Sequence, residues 1–123
     1  MKTSALDPDT LNELRSLQTE GGPDVLFELA KLFVETMSVP VLDLREAVAA
    51  KTFEDISSAA HVLKSGSANV GALRLSEISQ MLEHAGDTSD AARLPNLMAE
   101  FNNEFAVVLE ELKRLQVDGP RKT

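Results

Sequence analysis

The chain has 123 residues, enough for one domain and short for two, with 43% hydrophobic and 26% charged, a balance that suits a globular protein with one core. Twenty acidic residues against twelve basic ones leave a net charge of −8, which opposes attraction to phosphate backbones and anionic lipid and argues against nucleic acid or membrane as partner. Cysteine is absent, so disulfides, thiolate nucleophiles and Cys-based zinc sites are excluded.

The opening MKTSALDPDT lacks the apolar core of a signal peptide, and no run approaches the roughly 20 apolar residues of a membrane span. A cytoplasmic location is the default expectation. Residues 1–6 precede the first helix signal and are expected to be a flexible N-terminus. Asp7 before Pro8 is a cap followed by a proline at the first helical position, and Leu11, Leu14 and Leu17 then repeat at helical spacing up to Gly21 and Gly22. Pro23 opens a longer pattern of Val25, Leu26, Leu29, Leu32, Phe33 and Met37, continuing through Val41, Leu44 and Val48. Within it Pro40 lacks a backbone donor and its ring crowds the preceding turn, which predicts a kink or a break.

A third helix is expected from about Thr52 to about Val70, with Phe53, Ile56, Ala60, Leu63 and Ser67 on one face and Gly71 as terminator. The fourth carries Leu73, Leu75, Ile78, Met81, Leu82 and Ala85 and ends at Gly86 and Asp87. The fifth runs from about Asp90 to about Leu115 through Leu97, Phe101, Phe105, Val108 and Leu112. No segment alternates like a strand. With five Phe and no Trp or Tyr, aliphatic side chains must fill the core, and the expected fold is all-α: an antiparallel four-helix bundle with a short additional N-terminal helix. The domain is expected to span 7–116, followed by a flexible tail over 117–123.

One of the two histidines lies in AAHVLKSGSANVGA, residues 59–72. Winding the third helix from Ile56 places Ala60, Leu63, Ser67 and Phe53 within about 60° of Ile56, whereas His61 falls at about 140°, Ala68 at 120°, Ser65 at 180° and Ser58 at 200°. His61 therefore points outward among small side chains, and Lys64, three residues on, is its helical neighbour. Gly66, at about 280°, faces the bundle instead. No acidic residue occurs between Asp55 and Glu77, so His61, Lys64 and Arg74 form a window that tolerates an anion. A neutral imidazole nitrogen can attack a phosphoryl group while a nearby cation steadies the transferring oxygens. Its unperturbed pKa of about 6.5 keeps the base form available near neutrality.

Ala60, His61, Leu63, Lys64, Ser65, Gly66, Ser67, Gly71 and Ala72 resemble, position by position, the signature of the histidine phosphotransfer (HPt) domains of two-component phosphorelays. The likeness extends from Leu6–Leu11 through Gly22–Leu26 to the long final helix. It implies that His61 is the phosphoacceptor and Lys64 supports the phosphoryl oxygens, with Gly71 closing the helix. Ser58, Ser65 and Ala68 would give the partner room to approach. Ser65 departs from the glycine often found there, and Glu83 takes the place where some relatives set a glutamine against the ring.

The same resemblance implies a receiver domain of a response regulator as partner, a sensor or hybrid histidine kinase upstream, and Mg²⁺ on the receiver. No cofactor or metal is expected on this chain, and a monomer is expected. With no glycine-rich nucleotide loop in the sequence, the resemblance implies a phosphocarrier, and no autonomous kinase activity is expected. Two competing expectations are a helical adaptor that binds a receiver or other signalling domain without accepting phosphate, and a hydrolase with His61 as general base. His84, near a helix C-terminus, reads as a plain surface histidine.

Overall fold

A computed structural model describes residues 5–22 and 24–117, with side chains through 115. Residues 1–4, Pro23 and the tail 118–123 lie outside the described residues, and with them most of the segments expected to be flexible.

Among the described residues five α-helices occur in chain order: α1 Pro8–Ser16, α2 Val25–Ala50, α3 Phe53–Asn69, α4 Leu73–Asp87 and α5 Leu94–Val117, the last entered through a 3-10 turn at Ala91–Arg93. The described residues contain no strand. Asp7 caps α1, its Oδ2 accepting from the Thr10 backbone N–H at 3.0 Å and from the Thr10 hydroxyl at 2.8 Å. Asp24 does the same for α2, accepting from the Phe27 N–H. Each cap satisfies a donor that the first helical turn leaves open.

The long helices pack as a closed ring, α2 on α3, α3 on α4, α4 on α5 and α5 back on α2, while α1 lies against α2. Their shared interior is almost wholly aliphatic, built from Leu44, Ile56, Leu63, Leu75, Ile78, Leu82, Val108 and Leu112, with Phe33, Phe101 and Phe105 between α2 and α5. The N-terminal end is tied down earlier than expected. Leu6 is buried in the core, the Ala5 N–H donates to Glu111 Oε2, and the Asp7 N–H donates to the Gly71 carbonyl at 2.7 Å. An apolar side chain just before a cap commonly packs back onto its helix bundle, so Ala5 and Leu6, expected to belong to a flexible N-terminus, are held against the bundle.

Pro40 does not break α2, which runs through it without interruption. The buried face continues on both sides, with Ala30 and Phe33 before the proline and Val41, Leu44 and Ala47 after it. Packing of that length outweighs the roughly 3 kcal/mol that an internal proline costs.

Three helices end in the same way. Lys51 after α2, Gly71 after α3 and Ser89 after α4 all take a left-handed conformation, and Thr52, Ala72 and Asp90 donate backward to the carbonyls of Ala47, Ser67 and Ala85. These are Schellman closures, which satisfy carbonyls the last helical turn would otherwise expose. Gly71 has a second reason to be glycine, because a Cβ there would lie 2.9 Å from the Cβ of Thr10 on α1.

Ser67 lies on the interior face of α3, and its buried hydroxyl has no hydrogen-bond partner among the described residues. Removing an unpaired buried hydroxyl recovers its desolvation cost. Ser67→Ala is therefore expected to raise stability by about 1 kcal/mol, read as an increased denaturation midpoint, with phosphoryl transfer unchanged.

Candidate functional site

The α3–α4 pair shares the most extensive contact in the bundle, and small residues allow the two helices to approach closely. A Cβ on Gly86 would sit 2.8 Å from both the Phe53 carbonyl oxygen and the Ser57 backbone nitrogen, so α4 runs directly against the backbone of α3. Ala60 and Ala85 are buried along the same two helices. Hydrogen bonds pin both ends: Ser76 Oγ donates to the Lys64 carbonyl at 2.9 Å, and Ser57 Oγ donates to Asp87 Oδ1.

This close contact delivers a carboxylate to the histidine. His61, with 60% of its side chain exposed, sets Nδ1 at 2.9 Å from Glu83 Oε2, while the other carboxylate oxygen, Oε1, lies 3.2 Å from Lys64 Nζ. Glu83 is far less exposed, at 20%. A carboxylate can only accept, so the hydrogen between the two residues is carried on Nδ1. In the neutral ring that fixes the lone pair at Nε2 and restrains the plane of the imidazole.

The outward face of α3 is arranged as its periodicity predicts. Ser58, Ser65 and Ala68 are exposed with His61, and all three are small. Gly66 faces α2, where a Cβ would meet the Met37 sulfur at 2.6 Å, an approach that a flexible thioether can relieve. His84 is exposed in the last turn of α4, where its backbone carbonyl accepts from Thr88. It does not join the pair formed by His61 and Glu83. Among the described residues no group of three or more His, Cys, Asp or Glu side chains could hold a metal ion.

The anion-tolerant window needs correction. Arg74 is engaged by Glu77 at 2.9 Å, nine positions from Glu83 and so about 13 Å away along the α4 axis. Glu83 itself stands between His61 and Lys64. A stretch of α3 without acidic residues says nothing about the carboxylates that the next helix brings across.

Residues 28–117 match the family of the Hpt domain. The chain belongs to the Hpt family. HPt proteins carry phosphoryl groups in two-component phosphorelays, together with histidine kinases and receiver domains, and phosphotransfer of this kind is the function of the chain. It is similar to histidine-containing phosphotransfer protein 5 of Arabidopsis thaliana, with 28% identity over 111 residues that make up 85% of this chain and 68% of the relative. The crystal structure of histidine-containing phosphotransfer protein B from Pseudomonas aeruginosa PAO1 superposes with a TM-score of 0.80 at 26% identity, covering 92% of this chain and 95% of that one. The HPt bundle and its additional N-terminal helix are thus the architecture expected from the sequence. No helix among the described residues is long and apolar enough to cross a membrane.

Glu83 is the HPt residue that helical periodicity could not supply, because nothing local to His61 points to it. Replacing it with Ala removes both the acceptor for Nδ1–H and the partner of Lys64. Hydrogen-bond partners that orient metal-bound histidines are worth about 10- to 100-fold in activity, and a loss of that size is expected for phosphoryl acceptance by Glu83→Ala. Glu83→Gln keeps an amide oxygen to accept from Nδ1 and is expected to retain most of the rate, as read by single-turnover transfer from a phosphorylated receiver.

Proposed function

We propose that His61 is the phosphoacceptor of this HPt domain and that Nε2 is the attacking atom. The observation that carries the proposal is the 2.9 Å contact between Nδ1 and Glu83 on a histidine whose side chain is 60% exposed. One nitrogen is engaged by the protein and the other is open to a partner. Nε2 attacks the phosphorus of a receiver aspartyl phosphate, the N–P bond forms as the acyl phosphate P–O bond breaks, and the aspartate leaves as a carboxylate. Nδ1 keeps its proton and its bond to Glu83 throughout. Return of the phosphoryl group to a second receiver reverses the same steps.

Lys64, bound to Glu83 before transfer, turns its ammonium toward the incoming phosphoryl oxygens. Ser58, Ser65 and Ala68 keep the surface low enough for the receiver to close over the ring. Mg²⁺ belongs to the receiver, and the chain acts as a monomeric cytoplasmic carrier with no kinase activity of its own.

The test is a transfer reaction from a phosphorylated receiver domain, followed by proteolysis after Lys51 and Lys64, which releases residues 52–64 with His61 as their one histidine. The expected result is a phosphoryl group on His61 that is labile to acid and stable to alkali. Label that survives acid would assign it to a serine or threonine hydroxyl and overturn the proposal.

A further inference from the structure

Three polar contacts run along the outer edge of the α3–α4 pair. Ser76 Oγ donates to the Lys64 carbonyl at 2.9 Å, Glu83 meets His61 and Lys64, and Ser57 Oγ donates to Asp87 Oδ1. On α4 the three residues fall at positions 76, 83 and 87, in steps of seven and four that keep them within about 40° of one another on one face. On α3 their partners run in the opposite order, Lys64, His61 and Ser57, as antiparallel helices require. Glu83 is thus flanked on its own helix by two residues that grip α3.

Register is critical at this edge. Sliding α4 along α3 by one residue moves it about 1.5 Å, enough to carry a 2.9 Å contact beyond hydrogen-bond range. Ala60, Ala85 and Gly86 let the two backbones approach, but such short side chains interlock little against sliding. A hydrogen bond to backbone is directional and its acceptor cannot rotate aside, so Ser76 fixes α4 to the same residue, Lys64, whose ammonium Glu83 holds. Asp87 gives a second indication. It ends α4, where the negative pole of the helix disfavours a carboxylate, and its bond to Ser57 in the early turns of α3 supplies the compensating contact.

We infer that Ser76 and Asp87 are positioning residues for phosphoryl transfer. They set the register of α4 on α3, and through it they hold Glu83 where it keeps the hydrogen of His61 on Nδ1 and the lone pair on Nε2. The inference rests on the phosphotransfer reading of His61 and extends its support to two residues that do not touch the imidazole.

The test uses the full chain and two readouts. One is the ¹⁵N spectrum of the His61 ring in alkaline buffer, assigned by comparison with His84→Gln; the other is single-turnover transfer from a phosphorylated receiver, measured against receiver concentration. In the wild-type protein the ring is expected in the Nδ1–H form. Ser76→Ala is expected to move it toward a mixture of both tautomers and to lower the saturating rate about fivefold, with the half-saturating receiver concentration unchanged. Asp87→Ala is expected to act in the same direction. Ser76→Thr keeps the hydroxyl and is expected to restore both readouts. Asn102→Ala removes a cross-helix hydrogen bond between α2 and α5 and is expected to leave both as in the wild type, which separates positioning from a general loss of stability.

If either readout is unmoved in both Ser76→Ala and Asp87→Ala, the positioning inference is overturned while His61 stays the acceptor. Wild-type protein that takes label from no receiver would overturn the phosphotransfer reading and this inference with it.

Discussion

His61→Gln accepts no detectable phosphoryl group from a receiver that labels the wild-type protein, and it does so without loss of stability. The glutamine amide can still hydrogen-bond to Glu83, but its nitrogen lone pair is delocalised into the carbonyl, so position 61 no longer offers a nucleophile to phosphorus. Because the ring is mostly exposed and fills no part of the core, its loss creates no cavity, and the expected change in Tm is no more than about 2 °C. Receiver binding persists in the same variant, since docking depends on other side chains. The pattern to look for is lost chemistry with retained binding and fold. A His61→Gln protein labelled at the wild-type rate would remove His61 from the mechanism.

Gly86→Val is expected to be the most destabilising single change in the α3–α4 pair. The new Cβ would meet the Phe53 carbonyl and the Ser57 nitrogen at 2.8 Å, and both are backbone atoms of α3 that cannot rotate aside. The helices must separate along a contact that also holds Ala60 and Ala85. Overpacking of this kind costs about 1–3 kcal/mol and sometimes more, and the branched side chains of valine place it at the upper end, for a Tm lower by roughly 10 °C. Gly86→Ala should be milder, because the gain of about 1 kcal/mol in helix propensity offsets part of the strain. The valine variant should also slow phosphoryl transfer, as Glu83 lies one turn before Gly86 and moves with α4 away from His61. Thermal denaturation within 2 °C of wild type would show that α4 tolerates the displacement.

The active face of α3 was legible because its determinants are local. Ile56, Ala60, Leu63 and Ser67 define the buried stripe by periodicity alone, and His61, Ser58, Ser65 and Ala68 then have to face outward, as they do. Gly66 could be assigned to the interior on the same grounds. What could not be read was anything set by a neighbouring helix. The contact between Glu83 and His61 crosses from α4, so only the family resemblance pointed to the position, and the run without acidic residues in α3 suggested an open anion site where a carboxylate in fact stands.

Glycine was a partial guide for a related reason. Gly71 does close α3 with positive φ, but the left-handed residue after α4 is Ser89 and that after α2 is Lys51. Gly86, within the last turn of α4, serves the contact with α3. Chain termination and close helix approach both call for glycine, and one sequence position does not distinguish them. Leu73 fits the apolar pattern of α4 yet is exposed, since helical periodicity identifies a face without saying how far the neighbouring helices extend to cover its end.

The carboxylate of Glu83 is shared, one oxygen to His61 and one to Lys64, and that sharing constrains how the site can vary over time. A neutral residue at position 83 releases Lys64, and a neutral residue at position 64 leaves Glu83 to the imidazole alone, so the effect of either replacement depends on the other. The two positions are thus coupled in what they tolerate: Glu83→Gln keeps an acceptor for Nδ1–H while releasing Lys64, and loss of the Lys64 ammonium leaves the whole carboxylate charge to His61.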